Sequence, residues 1–189
     1  MITVDELRKM GGRIAYTPVG LIRIEPNKYQ LYHFYSPDAP PILEENVHTH
    51  PQSFKSTVIK GGIRNHIYRV DDVMEETDYC VRCVKFRVPP ALQQSSTKTA
   101  KVVRKNVSYE KCVTFDTYEG NNYDLHYTTM HEVEILEPKT ATILDCRPHI
   151  GAYPDVFFVM GKDVSYTKEQ LHNRKTEKEC WEIVADVLA

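Results

Sequence analysis

Apolar positions follow a helical period at the two ends of the chain and a strand period between them. At the start, Val4, Leu7 and Met10 fall three residues apart on one helical face, behind Thr3 and Glu6 at the spacing of a capping box. Gly11-Gly12 ends that element. At the far end, Cys180, Ile183, Val184, Val187 and Leu188 recur at steps of three and four. Two further capping boxes, Thr167 with Gln170 and Thr176 with Glu179, precede them.

Between the ends, alternation with a period of two predicts strands at residues 20–25, 29–35, 54–60, 63–70, 77–88, 101–117, 125–136, 140–146 and 155–160. Pro37, Pro40 and Pro41 break the pattern after the second strand, and Gly61-Gly62 makes a tight turn between the third and fourth. In 77–88 the alternation puts Cys80, Val84 and Phe86 on one face. Residues 89–100 are polar and proline-led, and read as a loop or lid. So many strands at short intervals, bracketed by helices, predict a β-sandwich or barrel. With neither an internal repeat nor a linker, residues 1–189 read as one domain, its barrel at about 20–160 and a helical tail at 165–188.

Composition narrows the class. The 189 residues hold 24 Lys and Arg against 26 Asp and Glu, a formal charge of −2, which argues against a nucleic-acid partner. Eleven prolines and twelve tyrosines suit a loop-rich β protein better than a helical bundle. The apolar run at residues 156–160 falls far short of the roughly 20 residues of a spanning helix, and Asp5-Glu6 interrupts any signal peptide. Five scattered cysteines fit a reducing compartment, so a cytoplasmic location is expected.

The chemistry concentrates in histidine. His48-Thr49-His50 alternates on an extended segment, so both imidazoles point to one face, as two nitrogen ligands of a transition metal must. The stretch continues Pro51-Gln52-Ser53-Phe54 and closes at Gly61-Gly62; later come Met130-His131-Glu132-Val133 and the strand at 140–144. Together these resemble the two motifs of the cupin superfamily, and more narrowly a group of small bacterial and phage cupin-like proteins. The resemblance implies a mainly β fold, a cupin-like double-stranded β-helix barrel (jelly roll), with pairing into a homodimer. It implies a metal site of His48, His50 and His131. Where the common cupin pattern has a glutamate ligand this chain has Phe54 and Lys55, which leaves a three-histidine set like that of thiol dioxygenase-type cupins. Three imidazoles leave coordination positions open, so the cofactor implied is one divalent metal, Fe(II) favoured, with Zn, Mn or Ni as alternatives.

The expected function is oxidation of a small polar molecule by O2. Two alternatives stay open: a non-enzymatic cupin that sequesters or senses a small molecule or nucleotide, and a metal-free isomerase or epimerase with a histidine base. Gln52, two residues past His50, is a candidate for ligand support or substrate contact. Arg64, His66 and Tyr68 alternate with Ile63, Asn65 and Ile67. Either the first set lines the lumen and binds substrate, or the isoleucines point inwards and the arginine face is solvated. His126 is set apart because, on one regular strand, it would face away from His131. Cys80 and Cys83 lie on opposite faces of a strand, against a zinc site. The basic stretch 98–105 reads as a solvated loop and strand edge, with closure over an acidic substrate or a nucleotide as the alternative. Tyr29, Tyr32, Phe34 and Tyr35, taken as an edge strand, are candidates for a dimer contact.

Overall fold

The computed structural model describes residues 2–17, 19–41, 47–72, 81–86, 100–148, 155–159 and 175–189, with the side chains of 72, 81–86, 100–109 and 155–159 left aside. Outside the description lie residues 89–99 of the expected loop, the Thr167–Gln170 capping box, Cys80, His149, His172 and the side chains of 98–105.

The protein is mainly β, as the alternation predicts, with two antiparallel sheets. Strands are numbered in chain order. Sheet one runs β1 (Arg13–Thr17), β2 (Leu21–Asn27), β3 (Gln30–Tyr35), β10 (Thr140–Cys146), β4 (Phe54–Lys60) and β8 (Asn122–Leu125). Sheet two runs β11 (Asp155–Val159), β6 (Val81–Phe86), β7 (Ala100–Tyr118), β5 (Gly62–Asp72) and β9 (Met130–Ile135).

Helices α1 (Val4–Met10) and α2 (Glu177–Leu188) begin at the boxes the sequence marks: Thr3 Oγ1 accepts from the Glu6 N–H at 3.2 Å, and Thr176 Oγ1 from that of Glu179 at 3.3 Å. Both helices lie on one face of sheet one. Leu7, Cys180, Ile183, Val184 and Val187 pack there against Ile22, Ile24, Tyr32, Phe34 and Ala141. The opposite face of sheet one looks towards sheet two, where Leu31, Phe54, Leu125 and Leu144 meet Ile67 of β5. The layers are therefore helices, sheet one, sheet two.

The chain crosses from sheet one to sheet two at Gly61, whose φ of +73° is open to glycine and strained for other residues. A Cβ there would also lie 2.4 Å from Thr140 Oγ1 and 2.7 Å from the Lys139 carbonyl oxygen.

Three expectations change. β1 is an additional strand, paired in register along β2. The expected strand at 125–136 is two, because a turn closed by the Thr129 N–H on the His126 carbonyl separates β8 from β9. And β3 is an interior strand between β2 and β10, so Tyr32 and Phe34 pack under the helices of their own chain, at 2% and 0% exposure, rather than at an edge. Among the described residues, no helix is long and apolar enough to cross a membrane.

Candidate metal centre

The site forms where residues 47–50 run beside the start of β9. The His48 N–H donates to the His131 carbonyl at 2.9 Å and the His131 N–H to the His48 carbonyl at 3.0 Å, an isolated antiparallel bridge. Residues opposed in such a pair send their side chains to the same face. His131 is in turn opposed to Ile67 on β5, so that face is the one turned towards sheet one. Alternation then brings His50 to the same side as His48.

The three imidazoles accordingly meet. Ring centroids are 4.8 Å apart for His48 and His50, 4.8 Å for His48 and His131, and 5.0 Å for His50 and His131. One nitrogen from each lies within 4.8 Å of the others. Nε2 of His50 and Nε2 of His131 are 2.8 Å apart, and two cis ligands of one ion at ordinary metal–nitrogen lengths stand about 3 Å apart.

Asn65 fixes the chemistry of His131. Asn65 Oδ1 accepts from His131 Nδ1 at 3.1 Å, so in the neutral ring the lone pair sits on Nε2, facing the other two histidines. Both residues are buried, at 0% and 2% exposure. Burial pushes the His131 pKa well below its ordinary value, helped by His48. Burial does the same to His50, helped by His48, His131 and His33. Neutral imidazole is the form that ligates a metal. Phe54 stands edge-on to the His50 ring at 4.7 Å, where the common cupin pattern would offer a carboxylate, and Tyr123 packs beyond it at 6.4 Å. The donor set is three nitrogens with an aromatic wall. It suits Fe, Zn, Cu or Ni better than a hard cation such as Mg or Ca.

The other sequence candidates fall elsewhere. On β5 the residues turned inwards are Ile63, Asn65 and Ile67, so Arg64, His66 and Tyr68 occupy the opposite face of sheet two. The lumen placement expected of them does not hold. Arg64 donates to Asp116 Oδ1 and Oδ2 at 2.7 and 3.0 Å, His66 meets Thr114 Oγ1 at 2.9 Å and Glu134 at 3.3 Å, and Tyr68 donates to Glu132 at 2.7 Å. Gln52 lies near the Cys146 thiol, whose pKa burial pushes up and Gln52 draws back down. His126 is exposed in its turn and bonded to Thr128 at 2.8 Å.

Sequence reasoning passed over Asn65 and His33. His33, on β3, lies close enough to act electrostatically on His50, and its own pKa falls to about 3 through burial and the charge of Arg23.

No protein-family model matches the sequence, and none of the curated proteins compared with it matches. Among solved structures there is a distant likeness to hydroquinone 1,2-dioxygenase from Sphingomonas sp. TTNP3, a structure with 4-hydroxybenzoate bound, at 10% identity and a TM-score of 0.31. It covers 66% of this chain and 63% of that one, less than two thirds of the dioxygenase's own length.

Proposed function

We propose that the protein is a metal-dependent cupin of the non-haem Fe(II) dioxygenase type, an oxidoreductase acting on a small polar molecule. The observation that carries this reading is the convergence of His48, His50 and His131, two of them on one extended segment and the third distant in the chain, with their nitrogens within 4.8 Å. Iron held by these residues would offer open positions at which dioxygen and substrate could meet. The chain's own part is to hold the His50 and His131 imidazoles neutral by burial, to aim His131 through Asn65, and to keep water from His50 with Phe54. A small-molecule partner, a cytoplasmic setting and a homodimer belong to the same proposal. The three cysteines whose side chains are described, Cys112, Cys146 and Cys180, are free, which suits a reducing compartment.

Elemental analysis after anaerobic loading with Fe(II), Zn(II), Mn(II) or Ni(II) tests the reading. One equivalent of metal is expected in the wild type and none in His131→Ala. A wild type that retains no stoichiometric metal would sink it.

A second reading has its own support. With His131 Nδ1 donating to Asn65, the 2.8 Å contact requires His50 Nε2 to donate to His131 Nε2, so the pair can also hold and pass a proton. A metal-free isomerase or epimerase would use that pair, and metal content separates it from the first reading.

A further inference from the structure

Four buried polar atoms lack a hydrogen-bond partner among the described residues: Arg23 Nε, His33 Nε2, Ser56 Oγ and Asn65 Nδ2. All four lie on the faces that the two sheets turn towards each other. On β2 and β3 the residues packed under the helices are Ile22, Ile24, Tyr32 and Phe34, so Arg23 and His33 turn to the other face, the one that looks towards sheet two. They are Cα partners across the β2–β3 ladder. Ser56, at 1% exposure, lies further across the same face on β4, and Asn65, at 0%, stands opposite on sheet two beside His131. Each of these residues thus turns an unpartnered atom to the space between the sheets, with Asn65 beside His131 and His33 near enough to act electrostatically on His50.

Buried polar groups are nearly always satisfied, so such a set asks for a partner. The orphan atoms fix its chemistry. Arginine Nε and the asparagine amide nitrogen only donate, and a serine hydroxyl can donate. A partner to these three must therefore present acceptors, and the neutral His33 ring serves the same partner in the tautomer that carries its proton on Nε2. Glu25 takes the outer edge of the Arg23 guanidinium at 2.6 Å, leaving Nε turned inwards. A carboxylate is all acceptor, and its bonds to a guanidinium are charge-assisted.

We propose that Arg23 and His33 anchor the acid group of a small carboxylate that lies between the sheets, with its other end towards His48, His50 and His131. This rests on taking the space beside the histidines as the substrate chamber. It names the substrate class, a compact organic acid, where the functional reading says only a small polar molecule.

The test is a titration of histidine-labelled protein followed by NMR of the His33 ring, with acetate, propionate and succinate as probes and propylamine as the cationic control. It is run on metal-free and on metal-loaded protein. A saturable response of His33 to at least one carboxylate and not to propylamine is expected. Arg23→Gln and Arg23→Lys should both weaken it by about tenfold or more, since the lysine keeps the charge but lacks the Nε donor. No saturable response to any carboxylate, or an equal response in both variants, would overturn the proposal and leave these atoms to ordered water. Carboxylate binding by a protein that takes up no metal would uphold this anchor and remove the oxidoreductase reading; metal uptake without carboxylate binding would do the reverse.

Discussion

Strand β5 carries polar side chains on both faces, and the two faces differ in their access to water. On the outer face Arg64, His66 and Tyr68 find Asp116, Thr114, Glu134 and Glu132, so every one of them is multiply or closely partnered. On the inner face Asn65 makes one bond, to His131, at 3.1 Å. Contact lists would rank the outer face as the stronger. Physical chemistry ranks it second, because exposed ion pairs exchange readily for water and salt. The inner bond has no such substitute, since both its residues are buried. Irreplaceability, not the number of partners, decides which face can hold a reactive centre.

Among substitutions, the largest effect should come from breaking the inner bond. Asn65→Ala leaves the His131 Nδ1–H buried without an acceptor, a loss of about 1–3 kcal/mol of stability. It also frees the ring to turn, and metal affinity should fall by about ten- to a hundredfold, as it does when the partner of a ligating histidine is removed. Urea denaturation and a competitive metal titration read the two effects. Wild-type affinity in Asn65→Ala would mean that the inner face does not aim the ligand.

Acid acts on the interior as well. The pKa of His33 falls from the ordinary 6.5 to about 3 on folding. Between those values the unfolded chain binds a proton that the folded chain does not, so stability is present above 6.5 and is lost as pH falls towards 3. For His33 the slope is at most about 1.4 kcal/mol per pH unit. His50 and His131 are depressed in the same direction, so they steepen it. Denaturation midpoints across that window should fall more gently in His33→Gln than in the wild type. Parallel lines for the two proteins would show that His33 is not held neutral.

What could be read from the sequence was what depends on neighbours along the chain. Thr3 with Glu6 and Thr176 with Glu179 lie three residues apart, and a capping box is complete within that span. His48 and His50 share a face by parity alone. His131 is different: it joins them through a backbone bridge across more than 80 residues, which no local pattern encodes, and only the likeness of its surroundings to a second cupin motif pointed to it. Asn65 did leave a signal, an amide in a row with Ile63 and Ile67, which is a costly thing to bury without a partner. Which way that row pointed was open, because Arg64, His66 and Tyr68 make an equally plausible inner face until β9 and β7 are placed on either side of β5. The short β1 and the turn at 126–129 were lost for a related reason, since both are held by cross-strand bonds rather than by period.

The smallest effect should come from the face with the most contacts. Arg64→Met keeps the aliphatic stem against the sheet and removes both bonds to Asp116, whose carboxyl is held below its ordinary value by that arginine. At low salt the midpoint of denaturation should drop by less than in Asn65→Ala, and at high salt the difference from wild type should close, because the lost attraction is already screened there. Metal affinity should not move. The arginine lies on the far side of β5 from the imidazoles, and its partners Asp116 and Glu134 reach it from β7 and β9 on that same side. If Arg64→Met instead cost as much metal affinity as Asn65→Ala, the two faces would be one coupled unit, with the outer ion pairs setting the position of β9 and through it of His131.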